Sequence, residues 1–322
     1  MEAAERVAMT AQMMSPTSTP GQKPRHGPRR GLAARREAVY GYLFIAPVLG
    51  GIAVFQLYPI LITTYTSLTE WDGISARRFV GLQNYLNLLF SDERFHKVVG
   101  NTLLFMLGVI PLTTILALSL ALLCNRRLRG MAVFRLAYFV PFVANSVAVG
   151  FVWYWFYAPD NGVLNGLLAG VGVRGVSWLA EPGWAMVALI VASVWQGIGY
   201  PMVVFLAGLQ TIPEALYAAA KVDGASAWRR LWHVTLPLLT PSTFFVLITQ
   251  FIASFQAFGI VFVMTQGGPN NATNLFMLNL YQTAFGAGKV GYASAMAWIM
   301  FVVIAAGTLL QWKLQRRWVH YD

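Results

Sequence analysis

Few residues in this chain of 322 stand where covalent chemistry could be done. Gly286-Ala287-Gly288-Lys289 has the look of a phosphate-binding loop. However, Val290 follows where that motif needs Ser or Thr, and Thr283 takes the place of its first glycine. The chain is therefore not expected to hydrolyse ATP. Its 12 Asp and Glu residues fall in tails, loops or the edges of apolar runs. That leaves no carboxylate relay for a proton- or sodium-coupled carrier and no base beside a nucleophile for an intramembrane hydrolase. His26, His96, His233 and His320 are far apart and lack metal-ligand spacing. The single cysteine, Cys124, rules out an internal disulfide and ends an apolar run, which reads as packing. Neither a catalytic residue nor a metal site is expected.

The elements that position the remaining residues follow from composition. Hydrophobic residues make up 57% of the chain and charged ones 11%, against roughly 25% charged in soluble domains, so this reads as an integral membrane protein. The net charge of +11 fits the cytoplasmic charge bias of such proteins better than nucleic-acid binding. Residues 1–37, rich in Pro, Ser, Thr and Arg, read as a disordered basic tail. Arg pairs there imitate a twin-arginine export signal. The apolar run that follows, Tyr40–Thr64, exceeds the roughly 7–15 residues of a signal peptide's apolar region and reads as a retained anchor. Five more runs lie near Val98–Leu123, Phe134–Tyr157, Gly183–Leu209, Pro237–Met264 and Val290–Trp312, each long enough for a core of roughly 30 Å. Pro59, Pro111, Pro141, Pro201 and Pro241 lie in or beside these runs, where neighbours must satisfy the freed backbone groups.

With the amino terminus cytoplasmic, that side holds 17 Lys and Arg: seven in the tail, four in Asn125–Arg135, three in Thr211–Thr235 and three after Gln311. The other side holds six: Arg77, Arg78, Arg94, Lys97, Arg174 and Lys289. Both termini, including the short tail 319–322, are thus expected in the cytoplasm. Outside, Leu82, Tyr85, Leu86 and Leu89 recur at helical spacing, as for a helix lying on the membrane surface. Gly267-Gly268-Pro269-Asn270-Asn271 signals a turn, and Asn271-Ala272-Thr273 matches the short glycosylation pattern. Trp153, Trp155 and Tyr157 read as an interfacial aromatic belt.

Between the fourth and fifth runs lies a polar, helix-forming segment, 211–237. Pro213 can open a helix at its first turn, Glu214 suits the positive end of the dipole, and Asp223-Gly224 ends the helix. A second helix is expected from Ser226 to Val234, carrying Trp228, Arg229, Arg230, Trp232 and His233, before Leu236-Pro237 returns the chain to the bilayer. Two short helices at an angle offer a docking surface.

This segment resembles the coupling loop of importer-type ABC permeases: Glu-Ala-Ala, three residues, Gly, nine residues, an aliphatic, any residue, Leu-Pro. Here Ala218-Ala219-Ala220 stand three residues before Gly224, and nine residues on come Val234-Thr235-Leu236-Pro237. Val222-Asp223-Gly224-Ala225-Ser226 is similar to the sugar-importing branch. So are Phe79-Val80-Gly81-Leu82-Gln83-Asn84-Tyr85, Phe134-Arg135 with Tyr138-Phe139-Val140-Pro141, and Gly267-Gly268-Pro269-Asn270. The likeness spans residues 38–318, and the chain is identified as a member of the binding-protein-dependent, carbohydrate-importing ABC permeases, of the maltose or glycerol-phosphate type. One departure is Ala218, where the family usually has Glu; for Glu214, one helical turn earlier on the same face, two readings stand equal, that it takes over the contact with the ATPase or that it only stabilises the helix terminus.

The resemblance implies an all-α membrane protein with six transmembrane helices in the type I importer fold and a cytoplasmic coupling helix. It implies a multi-pass protein of the bacterial plasma membrane that forms half of a sugar path. Partners would be a second permease subunit, two ATPase subunits that hold ATP and Mg, and an external sugar-binding protein. This chain itself would hold no cofactor. Coupling would fall to Glu214, Ala218, Ala219, Ala220, Asp223, Gly224, Leu236 and Pro237. Comparison with disaccharide permeases points to Phe142, Ser146, Ser193, Gln196, Gly197, Tyr200, Gln250, Ser254, Ala257 and Gly259 as the substrate path. Asn145, Trp195 and Gln256 join them on chemistry alone, since a sugar needs hydrogen-bonding groups and aromatic faces. Gln250 and Ser254 are four apart, and Ser193, Gln196, Gly197 and Tyr200 share one helical face. Such residues also serve to hold helices together. A secondary carrier or channel without ATPase partners is the alternative, disfavoured by the absence of intramembrane charge and by the hairpin.

Overall fold

The computed structural model describes residues 30–125 and 130–319. His26, His320, residues 320–322 and residues 1–29 of the expected tail lie outside them. The chain divides into two units, Met1–Ile60 and Leu61–Asp322. In the first, α1 (Arg30–Ile52) passes through a π turn at Ala53–Leu57 into the start of α2 (Tyr58–Ser67). Helix thus begins at Arg30, inside the stretch that reads as a disordered tail.

Among its described residues the second unit has helices and one pair of two-residue strands, β1 (Thr69–Glu70) and β2 (Arg78–Phe79), paired antiparallel. There follow α3 (Gln83–Phe90), α4 (Glu93–Cys124), α5 (Met131–Val143), α6 (Ser146–Phe156), α7 (Val163–Gly170), α8 (Pro182–Gly197) and α9 (Gly199–Thr211). Next come α10 (Glu214–Val222), α11 (Ala227–Arg230), a π turn at Leu231–Thr235, α12 (Leu236–Leu238) and α13 (Thr240–Phe255). The last elements are α14 (Gly259–Met264), α15 (Phe276–Tyr281), a π turn at Gln282–Gly286 and α16 (Val290–Gln315).

Three helices are individually long and apolar enough to cross a membrane: Arg35–Ser67, Glu93–Cys124 and Val290–Gln315. The other three apolar runs, expected as single spans, are bent pairs. α5 and α6 meet at 100°, α8 and α9 at 46°, and Ala227–Leu238 and α13 at 66°. Counting each pair as one span gives the expected six. The sharpest bend follows Pro141, where Asn145 caps α6 with its Oδ1 accepting from Val147 N–H at 2.8 Å. In α4 Pro111 leaves the helix intact, and Thr114 Oγ1 bonds back to the Ile110 carbonyl beside it at 2.7 Å.

Helices approach closely where glycine faces a neighbour. A Cβ on Gly108 would strike Ile190, one on Gly208 would strike Ser242, and one on Gly150 would lie 3.0 Å from Val263 Cβ. Fully buried Ala117, Ala121 and Cys124 let α9 lie along α4 through Met202 and Phe205. Trp153 and Tyr157 belong to the interior rather than an interfacial belt: they stack at 5.4 Å, and Tyr157, 2% exposed, donates to the Ala188 carbonyl at 3.1 Å. Only Trp155 of the expected belt is exposed.

Around α3, Asn84 is buried and donates to the Ser67 and Thr69 carbonyls, and Tyr85 donates to Ser67 Oγ. Leu82, Leu86 and Leu89 remain exposed as the expected apolar stripe. In the β1–β2 loop, Asp72 Oδ1 accepts from the Ile74 and Ser75 N–H groups and the Ser75 hydroxyl. Those bonds, the Ile74 one foremost, pull its carboxyl from 3.8 to about 2. The turn therefore keeps its full stabilisation above pH 3.8 and loses it as pH falls through about 2. The Gly267–Asn274 loop is tied to α4 by Lys97, donating to the Asn270 carbonyl, and Asn101, donating to the Asn271 and Asn274 carbonyls. Thr273 is fully buried; its hydroxyl donates to the Gly268 carbonyl and lies 2.7 Å from Thr265 Oγ1, with which it shares a second hydrogen bond. The Asn271-Ala272-Thr273 pattern thus combines an exposed Asn271 with a buried, hydrogen-bonded Thr273.

Gly291, at the start of α16, touches β1: a Cβ there would collide with the Thr69 carbonyl, a backbone atom unable to swing away. Gly291→Ala is expected to cost about 1–3 kcal/mol, read as a lowered thermal midpoint of the purified protein. Gly197→Ala, whose Cβ would meet nothing within 4 Å, should cost far less.

Candidate functional site

The helix breaks gather round one cavity of about 470 Å³. α5 contributes Phe142. The α5–α6 break and first turn of α6 contribute Asn145, Ser146 and Val147, and the end of α8 contributes Ser193, Gln196 and Gly197. α13 supplies Gln250, Ala253 and Ser254; the α13–α14 break supplies Gln256, Ala257 and Phe258; and α14 supplies Gly259 and Ile260. Phe105 and Val109 of α4 close the far wall. The structure therefore brings together Phe142, Asn145, Ser146, Ser193, Gln196, Gly197, Gln250, Ser254, Gln256, Ala257 and Gly259.

Two expected members stand elsewhere. Tyr200 is behind the wall, stacked on Phe142 at 5.2 Å and 18°. Trp195 points the other way, lining a separate apolar hollow with Val133 and Leu136 and meeting Trp153 edge-on at 5.8 Å. A residue one position from Gln196 is turned about 100° round the helix, which removes Trp195 from the cavity face.

The lining holds no ionisable side chain. Its polar groups are partly spoken for: Ser254 Oγ donates to the Gln250 carbonyl at 2.8 Å, and Gln196 Nε2 donates to the Ala144 carbonyl at 3.3 Å. Ser193 Oγ is buried with no hydrogen-bond partner among the described residues. An unmade bond of that kind costs about 1–3 kcal/mol, which a ligand hydroxyl or a water would offset. At Gly259 a Cβ would collide with Ser146 Oγ, so this glycine lets α14 close on α6 and form the floor. Neutral hydrogen-bonding groups thus stand beside the Phe142 ring. Phe105, Val109 and Phe258 were not legible beforehand, because an apolar residue lining a cavity has the same sequence signature as one facing lipid.

The second feature is the 211–237 hairpin. Pro213 occupies the N-cap of α10, one position before the first turn expected of it. Gly224, at φ +72, closes the helix: its N–H bonds to the Lys221 carbonyl and that of Ala225 to the Ala220 carbonyl. Those two bonds form a Schellman cap. Ser226 is the N-cap of the next helix, its Oγ accepting from Arg229 N–H. That helix is α-helical only over Ala227–Arg230; the π turn, Leu231–Thr235, follows and leads into Leu236 and Pro237 of α12. Tyr217 and Thr235 share a hydrogen bond of 3.0 Å between the arms, and Arg230 donates to the Ala225 carbonyl at 2.8 Å. Glu214, Ala218, Ala219, Asp223 and Gly224 are exposed, and Ala220 is half-buried. Val222, Trp228 and Trp232 are exposed too, the two indoles meeting at 5.6 Å.

Fold and site define a multi-pass membrane protein with an uncharged internal cavity and a self-capped helical hairpin. Residues 110–320 match the family described as binding-protein-dependent transport system inner membrane component, and the chain belongs to that family. It is 36% identical over 298 residues to the probable ABC transporter permease protein YesP of Bacillus subtilis (strain 168), covering 91% of this chain and 96% of the relative. It is 36% identical over 282 residues to the trehalose/maltose transport system permease protein MalF of Thermococcus litoralis, covering 87% and 95%. The fold matches a chain in the crystal structure of a bacterial alginate ABC transporter complexed with alginate pentasaccharide-bound periplasmic protein. There the TM-score is 0.76 at 22% identity, over 89% of this chain and 98% of that one. The chain is accordingly a non-catalytic permease subunit of an ABC transporter, in which separate subunits hydrolyse ATP.

The positive φ of Gly224 makes the hairpin sensitive to one methyl group. Gly224→Ala should weaken the cap by about 1–2 kcal/mol, seen as faster hydrogen exchange at the Gly224 and Ala225 amides. Gly224→Asn should weaken it less.

Proposed function

We propose that this subunit forms half of the path of an ATP-driven importer of an uncharged mono-, di- or oligosaccharide. The observation that carries this reading is the cavity: its lining has no ionisable group, it includes the unbonded Ser193 hydroxyl, and it presents the Phe142 ring. Sugars meet such walls with hydroxyls to the polar groups and C–H faces to the ring. Relatives named as permeases for trehalose/maltose, lactose and multiple sugars support the same substrate class.

The remaining parts follow from the family and the charge bias. A second permease subunit completes the path, and an external binding protein delivers the sugar. Two ATPase subunits holding ATP and Mg seat on the hairpin, and both termini lie in the cytoplasm. Exposed Glu214 and Ala218 lie one turn apart on α10, so Glu214 takes the acidic contact that Ala218 cannot make. Leu236 and Pro237 carry displacement of the hairpin into α13.

Three experiments test this. Gently extracted with its native partners, the tagged chain should bring down a second multi-span chain and an ATPase. Recovery of the chain alone, transporting without ATP, would refute the importer reading. Gly197→Leu, placing a side chain in the cavity, should lower ATP-dependent sugar uptake at least tenfold with the assembly intact; wild-type uptake would take the path elsewhere. Glu214→Ala should reduce recovery of the ATPase and spare the second permease, and unchanged recovery would remove Glu214 from the contact.

A further inference from the structure

A run of four rings leads away from the cavity. Phe258, in the α13–α14 break, forms part of the cavity wall. Its ring stacks on Phe262 of α14, with centroids 5.3 Å apart at 23°, and meets Tyr281, the last residue of α15, at 5.0 Å. Phe262 and Tyr281 meet edge-on at 5.8 Å, and Tyr281 lies 5.2 Å from Phe285 in the π turn that follows. Exposure rises along the run. Phe258 is half-buried, Phe262 and Tyr281 are 37% and 38% exposed, and Phe285 is 76% exposed. The rings are thus continuous from the cavity wall to the surface.

The backbone beneath the outer rings is tied down. Gln282, which follows Tyr281, accepts through Oε1 from Arg94 at 2.6 Å and from Asn274 at 3.2 Å, and its Nε2 donates to the Gln266 carbonyl at 3.1 Å. The Ala287 N–H bonds to the Gln282 carbonyl and the Lys289 N–H to the Thr283 carbonyl, closing the turn that carries Phe285. Those bonds fix the turn to the start of α4 and to the Gly267–Asn274 loop, the end of the molecule that the proposed orientation places outside.

We infer that Phe285, Tyr281, Phe262 and Phe258 form an entry track, along which the C–H faces of a sugar pass from the outer surface to the cavity. This rests on the proposed sugar path and orientation, and adds to them a binding surface outside the cavity. Phe258 belongs to both the run and the cavity lining, and that continuity favours a solute over lipid as the occupant. Neighbouring rings offer weak binding faces of similar chemistry, so a sugar can move from one to the next without being held in a deep well. Its hydroxyls stay hydrated meanwhile. Lipid at an interfacial belt and a covering second permease subunit are the competing occupants that the test separates.

The test uses the whole transporter. Cys124, the chain's single cysteine, is buried, so a thiol introduced elsewhere is read against a low background. In right-side-out vesicles, Phe285→Cys and Tyr281→Cys should react with a membrane-impermeant thiosulfonate. Saturating maltose, trehalose or lactose, whichever the wild-type assembly takes up, should slow that reaction severalfold, and mannitol at the same concentration should not. A thiol facing hydrocarbon stays protonated and unreactive, and one covered by the second permease is out of reach. Absence of reaction at both positions would therefore overturn the inference, as would reaction that the sugar leaves unchanged. In ATP-driven uptake through the binding protein, Phe285→Leu should lower kcat/KM about 2- to 12-fold, the equivalent of one aromatic contact. Phe285→Trp should stay within about twofold of wild type, and equal losses in the two variants would count against a track of rings. Tyr281→Leu serves if Phe285→Leu fails to assemble. If Gly197→Leu blocks uptake while the ring variants leave it unchanged, the track alone falls. If Gly197→Leu also transports as wild type, the path through this cavity fails and the track with it.

Discussion

In hydrocarbon, a break in a helix is tolerable only where something other than lipid bonds the freed N–H and C=O groups. That constraint organises the second unit. Breaks at Ala144-Asn145, at Ile198 and at Gln256–Phe258 all border the same cavity, and protein groups answer the first and the last. Asn145 caps α6, Gln196 reaches the freed Ala144 carbonyl, and the Gln256 N–H bonds to the Ala253 carbonyl. The polar residues of the path are thus partly structural. They make irregular backbone possible at that depth, and irregular backbone makes room for a cavity. Gln196 both bonds the Ala144 carbonyl and lines the cavity.

Close approach is the second requirement. Gly150 and Gly259 bring α14 onto α6, and Gly199 brings α9 onto α5. Gly197 is different: it faces open space, so its missing side chain contributes volume to the cavity rather than contact.

Span positions were legible because roughly 20 apolar residues carry a strong signal. α4 and α16 run to within a few residues of the expected ends. The bends were not legible, since prolines marked candidates without saying which would yield. Pro111 sits inside an uninterrupted helix, whereas Pro141 is followed by Asn145, a residue able to cap a new helix. The clustering of Gln250, Ser254, Ser193, Gln196 and Gly197 followed from helical spacing together with the family comparison. Tyr200 shared their face in projection but ended behind the wall, because the 46° bend at Ile198 turns its helix away from that of Gln196. Similarly, the match of Asn271-Ala272-Thr273 to a short pattern carried no information on burial, which proves complete at Thr273.

The two caps of the 211–237 hairpin also bear on how any protein seats upon it. Ordering a residue costs about 1–2 kcal/mol of backbone conformational entropy, and a segment that folds only on contact meets that cost as it associates. Here the Schellman closure at Gly224, the Ser226 cap and the Tyr217–Thr235 bond are formed within the chain itself. The surface is therefore already ordered when it is met, so encounter can proceed as a rigid-body event with its rate set by diffusion and orientation rather than by folding.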